Sequence, residues 1–347
     1  MKRKKIRIIL CAIIILLIIL SVGLFIFLRP SKEEPVKKKK VKKKIVKEEK
    51  TVQIVDLNSN TRPYAVMINN VSNVWGYQSG IENAYLVYEI IVEGGYTRLM
   101  AVFKDKNLDR IGSVRSSRHY FLDYALENDA IYVHFGWSPK AQSDMKSLGV
   151  NNINFLTYSK GYIRDTSLPL SREHTAFTST DKIEEAIDTF NYSKTSNKKL
   201  LLKYSADDID LSKFEGSIVA NKIDIVYSHS KSTGYEYDSQ NKVYKRYQNG
   251  IAHTNNFNEQ YSVKNIITYK VSNYTISGDE KNRQDINNIG NGEGYFISNG
   301  YAVPITWEKT SRESQTIYRY KNGEEITVND GNTFIQIQPS NGNLTIE

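Results

Sequence analysis

The residues best suited to chemistry crowd one short stretch, IGSVRSSRHY at 111–120, where Arg115, Ser116, Ser117, Arg118 and His119 are consecutive between β-prone runs. A guanidinium presents its N–H donors in a planar fork that matches carboxylate and phosphate. Arg98, Arg164 and Arg172 belong to the same half of the chain. The pattern points to anion recognition, with Arg98, Arg115, Ser116, Arg118 and Arg172 as candidate contacts. A helix starting at the serines would add free N–H groups and the positive end of its dipole. The competing reading is structural: Arg115 and Arg118 pair with Glu89, Glu93 or Asp165 and pin the helix to a sheet.

Histidine offers acid–base chemistry. Of the five (119, 134, 174, 229 and 253), none forms a His-x-x-x-His pair or sits in a Cys/His cluster, so no metal is expected. His134 and His174 could converge with Asp165 on a two-histidine, one-carboxylate site, but satisfied structural histidines are the better reading. Ser116, Ser117 and Ser138 read as helix caps rather than nucleophiles, because no Gly-x-Ser-x-Gly elbow is present. No Gly-x-x-x-x-Gly-Lys-Ser/Thr or helix-opening Gly-x-Gly-x-x-Gly supports a nucleotide, and the GNGEG run at 290–294 reads as a turn. No cofactor is implied. Trp75, Trp137 and Trp307 could stack on sugar rings, although tyrosines at strand spacing are more often cross-strand packing.

The elements that must position these groups fall into two textures. In the first, PYAVMI reads as a strand, and YLVYEIIVEGGYTRLMAVFK as two strands around Gly94-Gly95. The serines then lead into a helix through Tyr120, Phe121, Tyr124 and Ala125, followed by the strand AIYVHF. Next come a helix capped by Ser138 with Pro139 at its first position and Gly149 past its end, and a third helix, DKIEEAIDTF, capped near Thr180. Beyond NYSKTSNKKL the chain is aromatic-rich and turn-punctuated, with Asn299-Gly300 and Asn322-Gly323 as hairpin signals. The expected fold class is α+β: a mixed α/β domain at 59–195, then a β-rich, mostly antiparallel domain at 196–347.

Charge locates the rest. The 347 residues carry a net charge of +9, but residues 1–50 hold 16 Lys and Arg against four Glu, leaving −3 for the remainder. The folded part has no cationic field for wrapping a nucleic acid. Residues 8–28, IILCAIIILLIILSVGLFIFL, are 21 residues without a charge, enough to cross a hydrocarbon core of about 30 Å. They read as a transmembrane helix or signal anchor after a basic cytoplasmic flank at 1–7. The flank's shortness places the C-terminal bulk outside the cytoplasm, although lysines on both sides leave the positive-inside rule undecided. Residues 29–58 read as a Lys-rich extended linker, able to touch anionic lipid or wall polymer. The single cysteine, Cys11, lies in the apolar run behind Leu10, so no intrachain disulfide exists and a lipoprotein-type modification is poorly supported.

Several motifs in order, RPYAVMINN, QSGIENAYLVYEIIVEGGYTRLMAVF, IGSVRSSRHYF, IYVHFGWSP, GEGYFISNGYAVPITWEK and DGNTFIQIQP, resemble the YerB-like family of Gram-positive proteins named as lipoproteins. The resemblance covers most of 62–340 and implies a two-domain protein on the outer face of the membrane. It supplies no activity. This chain departs from the family in lacking a lipobox cysteine. It has Asn69 where the family tends to Asp, Glu173-His174-Thr175 where the family tends to Pro-His-Asn, and Asn255 after His253 where the family has His-x-Asp. Two of these changes remove a carboxylate, which would impair a hydrolase relying on it.

These readings converge on a cell-envelope binding or scaffold module, leaning away from an enzyme. Its partner is an anionic envelope ligand or another envelope protein. The alternative is a cell-wall or phosphoester hydrolase using His134 and His174 with an arginine anion clamp.

Overall fold

A computed structural model describes residues 2–28 and 50–347 of the chain. They form two units, described separately. The first holds helix α1, Lys2–Phe27, with a mean hydropathy of 3.4 over its apolar window, long and apolar enough to cross a membrane. Most of the expected Lys-rich linker, 29–49, lies outside the described residues.

The second unit, 50–347, begins inside that expected linker. The reason is local: Val55 is buried in the core, and the Gln53 and Ile54 amides donate to the Asp330 carboxylate at 3.0 Å. Its frame is an eleven-stranded mixed sheet. The strands that matter here are β1 Tyr64–Asn69, β2 Leu86–Ile91, β3 Thr97–Phe103, β4 Ile131–His134 and β5 Asn152–Asn154. From the aromatic-rich half come β6 Lys222–Ser228, β7 Lys231–Asp238, β8 Val243–Gln248, β9 Asn265–Val271, β10 Gly290–Ser298, β11 Tyr301–Lys309 and β12 Thr333–Pro339. The large sheet runs β11-β10-β9-β12-β2-β3-β1-β4-β5, with the short strands Ile218–Val219 and Ile317–Tyr320 on β11. Because β12 pairs in parallel with both β2 and β9, this one sheet takes strands from both sides of residue 195.

Both faces of the sheet are buried, so its central strands are nearly continuous apolar runs whose successive side chains pass to opposite cores. Ala65, Met67, Tyr88, Ile90, Met100 and Ile335 point to one core, covered by α2 His119–Glu127 and α3 Pro139–Ser147. Val66, Val87, Leu99, Ala101 and Phe334 point to the other, covered by α4 Thr180–Thr189 and a second sheet built on β6, β7 and β8. The architecture is α+β.

Local chemistry sets the ends of these elements. Ser138 caps α3 by accepting from the Ala141 amide, and Ser179, one residue before the expected position, caps α4. Between β2 and β3 both Gly94 (φ 70°) and Gly95 (φ 72°) are left-handed, a turn that side chains resist. Asn299 and Gly300 form the expected two-residue hairpin, joining β10 to β11. GNGEG is not a turn: it opens strand β10. A Cβ on Gly294 would lie 2.4 Å from the Thr268 carbonyl and one on Gly292 2.7 Å from the Trp307 indole nitrogen, so the glycines answer close packing.

Between the sheets lies a fully buried carboxylate, Glu89. It accepts from Thr97 Oγ (2.7 Å) and Asn70 Nδ2 (3.1 Å) on its own side. From the second sheet it accepts from Thr233 Oγ (3.1 Å) and Arg246 Nη2 (2.6 Å), with Lys231 Nζ 3.9 Å away. Burial pushes the Glu89 carboxyl up, but the charges of Arg246 and Lys231 outweigh it and hold it below the usual range. Burial, only partly opposed by Glu89, lowers Lys231 to about 7.

Glu89→Ala leaves Arg246 charged and buried without its partner, and should cost roughly 3–5 kcal/mol in urea unfolding. The depressed Lys231 pKa destabilises fully below pH 7, where the proton must stay on the buried amine. The penalty fades as pH rises toward the free-lysine value of 10.5. Stability should therefore climb from pH 7 toward pH 10, and Lys231→Met should flatten that climb.

Candidate functional site

The carboxyl ends of β1 and β2 and the start of β3 open onto a cleft of about 390 Å³. Asn69 and Arg98 are register partners across β1 and β3, so their side chains stand together on the α2 face. The glycine turn sets Glu93 beside them. The segment at 172–174 closes the opposite wall with Glu173 and His174, and Tyr96, 46% exposed, stands at the rim.

The arginines have unequal fates. Arg118 is buried and its fork is spent on Glu93, with Nε donating at 2.8 Å and Nη2 also bonded, while Nη1 donates to the Ser117 carbonyl at 2.7 Å. Arg98 donates from Nη2 to the same Glu93 carboxylate at 3.2 Å and from Nη1 to the Ser116 carbonyl at 2.6 Å, and it also lines the cleft. Arg115 reaches into the cleft toward Glu173, with one nitrogen 2.9 Å from Oε2 and another 3.2 Å from the carbonyl. Three guanidiniums thus face two carboxylates. Burial, followed by the charge of Arg118, lowers Arg98 to about 9, which leaves it charged at neutral pH. Burial pushes Glu93 up, yet the Arg118 hydrogen bond and the two nearby cations prevail and bring it to about 2.

His174 is buried, and its Nδ1 lies 2.7 Å from Asn69 Nδ2. The amide nitrogen can only donate, so Nδ1 accepts and the ring proton sits on Nε2, 3.6 Å from the Glu173 carboxylate. Burial, then the Arg115 charge, lowers the His174 pKa and keeps the ring neutral. Behind the cleft the polar contacts continue inward. Gln78 donates to the Asn69 carbonyl at 2.6 Å and accepts from His253 Nε2, whose Nδ1 accepts from Arg246 Nε at 3.0 Å. The cleft and the Glu89 ion pair therefore share one hydrogen-bonded network.

The other expected contacts lie elsewhere. His134 is fully buried, held between the Gly136 carbonyl (2.9 Å) and Asn152 Oδ1 (3.1 Å), and burial lowers it to about 4. It does not line the cleft. Arg172 is exposed and contributes only its carbonyl, to Thr175 and Arg164. Ser116 takes part through its carbonyl. Neither Ser116 nor Ser117 caps α2: Arg118 occupies the cap position without a side-chain bond, because Ser117 Oγ is drawn inward to accept from Tyr132. Asp165 pairs with Arg110 at 2.7 Å, and among the described residues no cluster of three metal-ligating side chains forms. Trp307 is buried under Tyr269, and Trp75 lies over Lys231, 4.8 Å from its ring centre. Glu173 was the missed member: nothing in the sequence places it opposite Arg115, because their contact spans 58 residues.

Residues 51–193 match the N-terminal domain, and residues 223–335 the C-terminal domain, of a family described as "Protein of unknown function (DUF3048)". The chain belongs to this family. A relative from Bacillus subtilis (strain 168), named "Putative lipoprotein YerB", is 28% identical over 284 residues, spanning 80% of this chain and 81% of that protein. The crystal structure of YerB protein from Bacillus subtilis matches with a TM-score of 0.70 at 26% identity, over 82% of this chain and 94% of that one. Two departures from the YerB-like pattern, Asn69 and the Glu173-His174-Thr175 segment, meet in the cleft. The third, Asn255, accepts from the Phe257 and Glu259 amides as a turn residue beside the buried His253.

Asn69→Asp should reverse the His174 tautomer and raise its pKa, since a carboxylate at Nδ1 favours the imidazolium. Titration of the ring by NMR should show a midpoint above that of the parent chain.

Proposed function

We propose that this chain is a membrane-anchored extracytoplasmic binding protein whose cleft holds an anionic group of an envelope polymer or partner protein. The carrying observation is the charge balance: among the described residues, Arg98, Arg115 and Arg118 pair only with Glu93 and Glu173. Arg118 is consumed by Glu93, and Arg98 shares that carboxylate, so Arg115 and the remaining N–H groups of Arg98 are the donors left for a ligand. Its pairing with Glu173, a 59% exposed carboxylate, is of the weak solvent-screened kind that a buried ligand anion outcompetes. His174 Nε2–H adds a neutral donor. Carboxylate and phosphate share this chemistry.

Support for the location comes from α1 and from the lipoprotein name carried by the Bacillus subtilis relative. In this proposal α1 crosses the membrane once, the bulk lies outside, and the lysines at 37–44 meet anionic lipid or wall polymer. The hydrolase alternative loses its histidine pair, because His134 is sealed behind its own hydrogen bonds and does not line the cleft.

Full-length protein in detergent should be retained on purified wall fragments, and Arg115→Ala should weaken retention about 10- to 100-fold, the worth of a charged hydrogen bond of roughly 1.5–3 kcal/mol. Fragments stripped of phosphodiester-linked polymer separate phosphate from carboxylate recognition. A folded Arg115→Ala protein with unchanged retention would defeat the proposal.

A further inference from the structure

We infer a second binding site, for a pyranose sugar, in a groove beside the last strand of the large sheet, independent of the arginine cleft. The groove, about 560 Å³, lies within the range of roughly 300–1,000 Å³ typical of small-ligand sites. Its walls come from Trp137, Met145 and Val150 on one side and Phe190, 38% exposed, on another, with Asn154 and Thr157 along β5 and the loop after it.

Two independent observations point to a ligand. The first is Trp137. Its indole is only partly buried although it lies in an otherwise well-packed region, with the His134 ring 5.7 Å behind it. A flat aromatic surface that stays open beside a groove suits the apolar C–H face of a sugar ring, burying apolar area on both partners. The second is Asn154. It is 3% exposed, and its Oδ1 accepts from the Gly136 amide (2.9 Å) and the Leu156 amide (3.1 Å), which fixes the orientation of the amide. Its Nδ2 is left buried without an acceptor on the groove wall. An orphaned buried donor is costly and uncommon. An acceptor entering along Trp137 would satisfy it.

A donor beside an indole, with Gln142 and Thr157 at the lip, is the complement of a ring carrying hydroxyl and amide acceptors. With Lys146 on the lip as a further donor, this selects an acceptor-rich N-acetylated amino sugar over a peptide, whose extended backbone would seek ladder partners along β5. That edge is already partly occupied: the Asn152 carbonyl accepts from Tyr192 Oη at 3.1 Å, and the Asn154 carbonyl from the Thr157 and Tyr158 amides. In the parallel order β1-β4-β5, Asn154 ends β5 as Asn69 ends β1, a lateral offset on the order of 10 Å.

The probe is the tetramer of N-acetylglucosamine, titrated calorimetrically into full-length protein held in a sugar-free detergent, with a wall stem peptide as the parallel ligand. The tetramer should bind. Trp137→Ala should weaken it at least tenfold, and Trp137→Phe, which keeps a smaller ring and guards against misfolding, by less. Asn154→Asp keeps both accepted amide bonds but puts a carboxylate oxygen where the orphaned donor was, so it should weaken binding several-fold while Arg115-dependent wall retention by the cleft stays unchanged. Absence of tetramer binding, binding indifferent to both Trp137→Ala and Asn154→Asp, or binding of the stem peptide alone would each overturn the inference.

Discussion

The cleft floor is held in place by a carboxylate that never meets solvent. Glu89 sits in the middle of β2 with its carboxylate in the dry layer between the two sheets, and it takes hydrogen bonds from both. Taking a carboxylate and a guanidinium out of water is expensive, and apolar residues of similar size would cost less. What the pair provides is directional. An apolar contact between sheets tolerates sliding, whereas the Arg246–Glu89 geometry ties β8 to β2 in one register. The same arginine orders His253, which orders Gln78, which holds the carbonyl of Asn69. The cleft floor thus rests on the interior ion pair through unbroken hydrogen bonds.

The cleft itself turns on a smaller imbalance. Glu93 is shared between two arginines that both reach its Oε1, and the charge of Arg118 beside it depresses Arg98. A second carboxylate at the same depth would have closed the account and left a merely structural salt-bridge cluster. The available second carboxylate, Glu173, is instead on the exposed lip. Arg115 is consequently held in solvent-screened company, while Arg118, three residues later, is buried and committed.

Much of the fold was legible in the sequence because local signals were strong. Ser138-Pro139 opened α3, Asn299-Gly300 closed the β10–β11 hairpin, and Gly94-Gly95 joined β2 to β3. What escaped were contacts between distant segments. NTFIQI reads correctly as a strand, but nothing in it says that it will lie beside β2, some 240 residues earlier, and fuse both halves into one sheet. Of the three acids anticipated as partners of Arg115 and Arg118, Glu93 does take Arg118, whereas Glu89 and Asp165 go to Arg246 and Arg110, hidden by sequence separation. Ser116 and Ser117 looked like caps since composition cannot reveal that Tyr132 will claim Ser117 Oγ. GNGEG looked like a turn because glycine also serves where two backbones approach closely.

His174 shows how one neighbour decides what a site can do. An imidazole acts as a base only through an unprotonated nitrogen with a free lone pair. Here that lone pair is occupied: Asn69 Nδ2 can only donate, so Nδ1 must accept, and the remaining nitrogen carries the proton. Burial and the nearby Arg115 charge then discourage a second proton. The ring is left as an N–H donor on the cleft wall. Donor, guanidinium and guanidinium together form a surface suited to holding negative charge. The residue at position 69, on a strand end, therefore decides which nitrogen of His174 is left to donate.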